Sequence, residues 1–202
     1  MKKVLAITAA FLVFVFISPQ CYAQDVGFIL GANVGNWLYS PKGSDLEGTQ
    51  SNERSWQMLG FEGASSWTPT INMGVGIDTK TGYLDITGCA GYFWNNAFDT
   101  TMYGADVAYR FKVGDNMTIG PHVGVLFFNA PSVGIAKEVR FDSTTGYNPG
   151  IAFSIGQKLA FDIHVDYLYA SFDIKDAGGW TFNNNSLDMS GMLIQLGFLY
   201  RM

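Results

Sequence analysis

Apolar and polar residues alternate with a period of two along most of the chain after its first segment. Bulky apolar residues occupy one face of each alternating segment, and small or polar residues occupy the other. This pattern is typical of β-strands whose two faces meet different environments. Eight strands are predicted, over residues 26–35, 70–78, 83–93, 103–113, 117–128, 147–156, 160–171 and 194–202. Pro121 lacks a backbone donor, which predicts a β-bulge in the fifth strand.

The bulky face is predicted to point outward. An eight-stranded barrel has an interior only just wide enough for side chains, and large apolar residues at nearly every inward position would overfill it. The other face is rich in Gly, Ala, Ser and Thr, which fit a narrow lumen. The sequence therefore predicts an all-β fold, an eight-stranded antiparallel up-and-down transmembrane β-barrel with its apolar side chains in lipid. In hydrocarbon, a closed barrel satisfies every strand N–H and C=O.

The connections between the predicted strands alternate in length. Short links near 79–81, 114–116 and 157–158 alternate with longer ones near 40–68, 94–102, 129–146 and 172–188. Transmembrane barrels have short periplasmic turns and longer extracellular loops. Aromatic residues near the strand ends are expected to form bands at the two membrane interfaces. At the long-loop end they are Trp37, Tyr39, Trp67, Tyr92, Trp94, Tyr103, Tyr147 and Tyr169, and at the other end Tyr83, Tyr109 and Tyr200.

Composition and the first segment narrow the class of protein. Charged residues make up 14% of the chain and the net charge is −5, which disfavours a nucleic-acid binder. Lys2 and Lys3, an apolar run over 4–17, and small residues at the expected cleavage site after Ala23 form a secretory signal-peptide pattern. The apolar run is too short to favour a membrane anchor. We expect a cleaved signal peptide over 1–23 and one barrel domain over 24–202, in which the lone Cys89 cannot form an intramolecular disulfide.

The C-terminal residues resemble the assembly signal of bacterial outer-membrane barrels. Gln195, Gly197, Tyr200 and Met202 occupy its polar, glycine and two apolar or aromatic positions, although its usual final residue is Phe. The barrel domain as a whole resembles the small eight-stranded outer-membrane barrels of the OmpA/OmpX type. The resemblance implies periplasmic chaperones and the barrel-assembly machinery as partners during biogenesis. It also implies residence in a Gram-negative outer membrane, among its lipid and lipopolysaccharide, with no peptidoglycan-binding domain after Met202.

Charged residues and both histidines fall on the face predicted to line the lumen. The spacing of Asp162, His164 and Asp166 could hold a metal or serve a hydrolase, but nearby Arg and Lys residues favour a network of paired charges that plugs the barrel. In a simple hairpin, Asp85 would face Arg110. No metal or cofactor is predicted. The expected network comprises Asp85, Asp106, Arg110, Lys112, His122, Asp162, His164, Asp166 and Arg201.

The sequence leaves several functions open. The favoured one is a porin-like but plugged barrel with a structural or interaction role, whose loops present a surface to an unknown protein partner. Exposed aromatics at 178–182 are expected either to form an adhesive tip or to anchor at the interface. The alternatives are a narrow channel for small solutes, a lipid-A-modifying enzyme and a soluble ligand-binding barrel. Lipid-A deacylases of this architecture place His and Ser two residues apart on an outward face. Here His164 and Asp166 face inward, so a non-enzymatic role is expected.

Overall fold

The computed structural model describes residues 25–39, 47–49, 55–57, 65–94, 98–133 and 139–202. The expected signal peptide over 1–23 and its cleavage site lie outside these ranges. The described residues form fifteen strands and no helix. The strands are β1 Asp25–Tyr39, β2 Glu47–Thr49, β3 Ser55–Gln57, β4 Ser65–Asp78, β5 Gly82–Trp94, β6 Phe98–Lys112, β7 Met117–Phe128, β8 Ser132–Val133, β9 Val139–Phe141, β10 Thr144–Gly156, β11 Leu159–Leu168, β12 Ser171–Asp176, β13 Thr181–Phe182, β14 Ser186–Asp188 and β15 Gly191–Arg201.

Eight of these strands close into an antiparallel barrel. Each pairs with the next along the chain in the order β1, β4, β5, β6, β7, β10, β11, β15. The last strand returns to the first, with a ladder from Ile29↔Arg201 to Tyr39↔Gly191. The predicted eight-stranded up-and-down barrel is therefore confirmed. Closure leaves no edge strand in the barrel wall, which is the condition for strands that lie in hydrocarbon.

The two faces of the barrel wall follow the predicted parity. Outward side chains such as Val26, Ile71, Ile151 and Phe198 are apolar and more than half exposed on the barrel surface. Their inward neighbours are mostly small, polar or charged, with exceptions such as Ile29 and Leu199, which are buried. A continuous apolar outer surface of this kind suits lipid, as the sequence predicted. No helix in the described part of the chain is long and apolar enough to cross a membrane.

Two local predictions were wrong. The register of β6 with β7 is the same on both sides of Pro121, from Ala108↔His122 to Phe111↔Ile119, so no residue bulges there. On its other side, Pro121 pairs with Ile151 of β10. In the ladder to β6, the pairs that would include Gly120 and Pro121 are missing, but the pairs before and after them keep one register. The long connection expected at 94–102 is also shorter, since β5 continues to Trp94 and β6 begins at Phe98.

The long connections build a second layer of sheet above one end of the barrel. Strands β8, β9, β12 and β14, which we call the loop sheet, continue the barrel sheet from β6. Strands β13, β2 and β3 form a separate three-stranded sheet. The loop sheet brings its own apolar side chains over the barrel mouth, and the end of the lumen beneath it is filled.

An apolar plug fills this end of the lumen. Its largest members are buried rings: the Trp37 ring lies 4.8 Å from Phe93 and 5.9 Å from Phe128, and Phe128 lies 5.6 Å from Phe172 of the loop sheet. We define the plug as Trp37, Phe93, Met102, Leu126, Phe128, Val139, Phe141, Leu168, Ala170, Phe172, Leu187, Met189 and Leu193. Trp180 and Phe182 are half-buried and pack against it, so of the two alternatives expected for 178–182, the exposed adhesive tip is wrong for these two rings.

The aromatic bands differ in membership from the prediction. Trp67, Tyr92, Trp94, Tyr103, Tyr147 and Tyr169 lie outward at the long-loop end, and Tyr200 lies outward at the other. Trp37 instead belongs to the plug because it shares the inward parity of Asn33. Tyr109 is buried against Phe111, and its hydroxyl bonds the Thr81 hydroxyl at 2.7 Å. The Tyr39 side chain lies outside the described set. The band at the long-loop end thus marks one membrane boundary.

We expect Val165→Arg to destabilise the barrel in lipid vesicles by about 2–4 kcal/mol, because Val165 lies outward near the middle of β11 and the charge would enter hydrocarbon. Denaturant unfolding in vesicles measures the change. Ser143→Arg, at an exposed position between β9 and β10, is the control and should leave stability within about 0.5 kcal/mol. Equal costs at the two positions would contradict the assigned outer face.

Candidate functional site

The end of the lumen away from the loop sheet is filled by charged side chains from five strands. The strands supply them because positions two apart share the inward face. Most of these groups are buried, and each has a partner of opposite or compensating charge. The cluster, which we call the charged lumen, comprises Asp85 of β5, Asp106 and Arg110 of β6, His122 of β7, Asp162, His164 and Asp166 of β11, and Arg201 of β15.

Arg110 is the centre of an ion-pair chain across the barrel. Its Nη1 and Nη2 donate to the two carboxylate oxygens of Asp162, at 2.6 and 3.3 Å. Its Nε lies 2.9 Å from Asp85 Oδ2, which also accepts from Arg201 Nη2 at 2.9 Å. Paired, charge-assisted contacts of this kind are the strong class of hydrogen bond. The chain ties β5, β6, β11 and β15 together through the lumen.

The pairing of Asp85 with Arg110 arises from a register that the sequence did not predict. Asp85 lies opposite Ala108, and Arg110 lies opposite Tyr83. The predicted hairpin register was therefore wrong by two residues. A shift of two preserves the facing of every side chain, since the strand period is two. The long Arg110 side chain then spans the remaining offset to reach Asp85.

The two histidines form the other half of the charged lumen. His122 Nδ1 lies 2.7 Å from Asp106 and its Nε2 lies 2.5 Å from Asp166. Both ring nitrogens of His122 therefore lie within hydrogen-bond distance of a carboxylate. His164 Nε2 lies 2.8 Å from Asp162, and its ring packs edge-on against His122 with centroids 4.6 Å apart. The contacts of the two rings are thus to carboxylates, to Arg110 and to each other.

Lys112 does not join the charged lumen, contrary to the prediction. Its Nζ donates to Asp78 Oδ1 at 2.7 Å and to the Thr79 carbonyl at 3.3 Å, at the short-turn rim. Position 112 is the last residue of β6, so its side chain leaves the lumen rather than entering it. Lys112 and Arg201 both lie over the Tyr83 ring, 4.6 Å from its centroid. Tyr83 therefore helps to close this rim and does not belong to the interfacial band.

A small cavity of about 50 Å³ is lined by residues of both the charged lumen and the plug. Asn33, Thr70, Cys89, Asn148 and Gln195 are among its lining residues. Within the described part of the chain, the side-chain oxygens Asn33 Oδ1, Thr70 Oγ1 and Asn148 Oδ1 have no protein hydrogen-bond partner. A polar cavity of this size holds a few water molecules, which satisfy such groups. Cys89 is a wall residue here, and sequence parity had placed it inward.

The C-terminal motif residues divide between the two faces of β15. Gln195 and Gly197 face the lumen, while Tyr200 and Met202 are exposed on the outer surface. A Cβ at Gly197 would lie 2.0 Å from Asn33 Oδ1 and 2.1 Å from the Ala32 carbonyl oxygen. Glycine at this position therefore allows β15 to approach β1 and close the barrel. The glycine position of the motif is thus explained by the close contact between β15 and β1.

Comparison with known proteins gives a family and a fold. The sequence profile of the outer membrane protein β-barrel domain matches residues 7–201. Neisserial surface protein A (NspA) is 13% identical with a TM-score of 0.56, over 89% of this chain and 100% of that chain. OprG from Pseudomonas aeruginosa is 10% identical with a TM-score of 0.52, over 89% and 97%. At these identities the likeness is one of fold. No curated protein matches this chain in sequence.

We expect Arg110→Ala to cost about 3–5 kcal/mol of unfolding free energy, because it leaves the buried carboxylate of Asp162 without its guanidinium partner. Asp162 loses its bidentate partner, whereas Asp85 keeps Arg201. Double-mutant cycles with alanine should therefore give a larger coupling energy for Arg110 with Asp162 than for Arg110 with Asp85.

The cycle for the half-exposed pair Lys112 and Asp78 is the control, with an expected coupling of about 0.2–1 kcal/mol. Denaturant unfolding of the refolded barrel measures the coupling energy in all three double-mutant cycles. Additive effects of Arg110→Ala and Asp162→Ala would contradict the ion-pair chain.

Proposed function

We propose that this chain, which belongs to the outer membrane protein β-barrel domain family and lies in the outer membrane, is a sealed barrel that acts through its long-loop end. The barrel anchors the chain and positions the loop sheet. The loop sheet and its connections then present an ordered surface to a partner outside the membrane. Short turns at the opposite end face the periplasm.

The observation that carries this proposal is the double closure of the lumen. At the long-loop end the apolar plug contains Trp37, Phe93, Phe141 and Phe172 with no exposed surface. Toward the short turns, Arg110 spans the lumen between Asp85 and Asp162. An eight-stranded barrel has little bore beyond what its inward side chains fill. A continuous path for solutes would have to cross both layers.

A narrow channel for small solutes fits the described residues less well. The cavity of about 50 Å³ has room for a few water molecules, and it is lined on one side by Leu126 and Leu193 of the plug. Opening it would require ring displacement at one end and separation of buried ion pairs at the other. Both changes carry a large free-energy cost.

The loop end offers a shaped surface for the proposed partner. Residues of β12 and β9 are tied by a ladder that includes Ile174↔Phe141, and the apolar plug lies beneath them. Exposed charges accompany this ladder: Lys175 Nζ lies 3.7 Å from Asp142 Oδ1. We propose a protein or lipopolysaccharide headgroups as the partner of this surface. Outer-membrane lipid contacts the aromatic band and the apolar wall below it.

A lipid-A-modifying activity is the enzymatic alternative, and we propose that the chain lacks it. Such a site would need a histidine and a serine in contact on a surface that lipid reaches. His122 and His164 instead lie inside the barrel, with carboxylates as their hydrogen-bond partners. Ser154, the inward serine of β10, bonds Thr118 at 2.6 Å. These contacts support a structural role for the charged lumen.

In planar bilayers, the purified barrel should show no stable conductance steps, because both layers block the lumen. The double change Phe93→Ala with Phe128→Ala opens the plug but leaves the Arg110 layer, so this variant should also remain closed. A porin reconstituted under the same conditions is the positive control. Reproducible steps from the unchanged protein would overturn the sealed-barrel proposal.

We further propose that periplasmic chaperones and the barrel-assembly machinery recognise the outward residues of β15. Replacing Tyr200 and Met202 by Asp should abolish outer-membrane assembly without blocking export, because both side chains lie on the lipid face. Fractionation of cell envelopes and gel mobility before and after boiling measure the folded fraction. Tyr200→Phe with Met202→Phe is the matched control and should assemble. Normal outer-membrane levels of the double Asp variant would contradict this role.

A further inference from the structure

We propose that the charged lumen binds one divalent transition-metal ion through His122, His164 and Asp166. All three residues are buried, and each offers a nitrogen or oxygen ligand atom within 4.8 Å of the other two. Two imidazoles with one carboxylate form a ligand set that suits divalent ions of the zinc and iron type. This site is independent of the role proposed for the loops.

The ligand atoms would have to shift by about 1–1.5 Å to reach coordination distance. Ligand atoms around a tetrahedral zinc ion lie about 3.4 Å apart, given bonds of about 2.0–2.1 Å. His122 Nε2 and Asp166 Oδ1 are 2.5 Å apart. A metal ion between them would separate these two atoms by about 1 Å, and ligand atoms as far as 4.8 Å apart would have to approach by about 1.4 Å. Ring rotation and strand flexibility can supply such a shift.

The surrounding groups are those that orient metal ligands. Metal-bound histidines usually donate their other ring N–H to a carboxylate. His122 already does so, with Nδ1 2.7 Å from Asp106 Oδ2. Asn148 Nδ2 donates to the second oxygen of Asp166 at 3.3 Å, and Asp162 holds the His164 ring at 2.8 Å. Each proposed ligand thus has an outer partner that fixes its orientation.

Asn148 provides an independent observation beside the site. Its side chain is 6% exposed, and its Oδ1 has no protein partner among the described residues. A Cβ at Gly124 would lie 2.5 Å from this oxygen and 3.0 Å from Asp106 Oδ2, so glycine makes room for both. Asn148, Asp106 and His164 also line the cavity. A water molecule held there by Asn148 would complete the coordination of the ion.

The formal charges agree with a divalent ion. When both imidazoles are neutral, the charged lumen has an excess of two negative charges, which one divalent cation balances. The excess comes from the carboxylates of Asp85, Asp106, Asp162 and Asp166 against the guanidinium groups of Arg110 and Arg201.

Metal binding by the intact barrel tests the proposal. Protein purified from outer membranes in detergent is stripped with a chelator, incubated with Zn²⁺ or Co²⁺, desalted and analysed for metal content. Because the site is buried, a second sample is unfolded, stripped and refolded with the ion present. We expect one ion per barrel and, with Co²⁺, the ligand-field absorption of a low-symmetry site with nitrogen ligands.

Variants locate the ion. His164→Gln and Asp166→Asn remove ligands and should weaken binding by more than about 100-fold, whereas Asp106→Asn removes an outer partner and should weaken it by about 10–100-fold. Asp78→Asn, at the rim, is the matched acid-to-amide control and should bind normally. The mobility shift of unboiled protein confirms that each variant is folded.

The outcomes decide whether an ion binds at this site. A folded, unchanged protein that retains no ion after either loading procedure has a lumen closed without a metal, and the proposal is overturned. Retention of the ion by both His164→Gln and Asp166→Asn would place it elsewhere and overturn the proposal as well. If the ligand variants do not fold, the Co²⁺ spectrum of the unchanged protein decides, because binding by carboxylates alone lacks nitrogen ligation.

Discussion

The structure depends on one constraint, the narrowness of an eight-stranded barrel. Its interior has room for side chains and little else, so each inward residue must pack against or pair with another across the lumen. At the long-loop end apolar rings meet this demand, with Trp37 at the centre of the plug. Toward the short turns ion pairs meet it, with Arg110 between two carboxylates. The apolar plug and the ion pairs of Arg110 therefore answer the same requirement at the two ends of the lumen.

Among the described residues, side-chain oxygens without protein partners lie at the boundary between the plug and the charged lumen. An unpaired charge is costly among apolar rings. A small polar cavity lies where the plug meets the charged lumen. Asn33 and Asn148 line this cavity, and the side-chain oxygen of each needs a hydrogen-bond donor such as a water molecule. The histidines lie beside this cavity rather than within the plug. Metal coordination by the histidines would leave the plug and the Arg110 ion pairs in place, so sealing and metal binding are compatible in one barrel.

Alternation with a period of two was enough to predict the fold and the facing of the charged residues. It was insufficient wherever a contact depends on register or on the chain beyond the barrel. Asp85 and Arg110 pair because a long side chain spans a two-residue offset. Lys112 leaves the lumen because its strand ends there. Trp37 and Phe93 showed inward parity, and this was the available signal for the plug. The loop sheet that covers them arises from short strands, whose periodicity is too brief to detect.

The same constraint bears on how the chain can act. In the barrel that we propose to be sealed, the plug and the ion pairs occupy the lumen, and the outer wall faces lipid. The surfaces left for recognition are therefore the two ends. At the short-turn end Tyr83 lies beneath Lys112 and Arg201, beside a cavity of about 430 Å³ that Asp78 and Arg201 help to line. The long-loop end carries additional strands that rest on a buried apolar base. These additional strands carry the surface at which we propose that the partner binds.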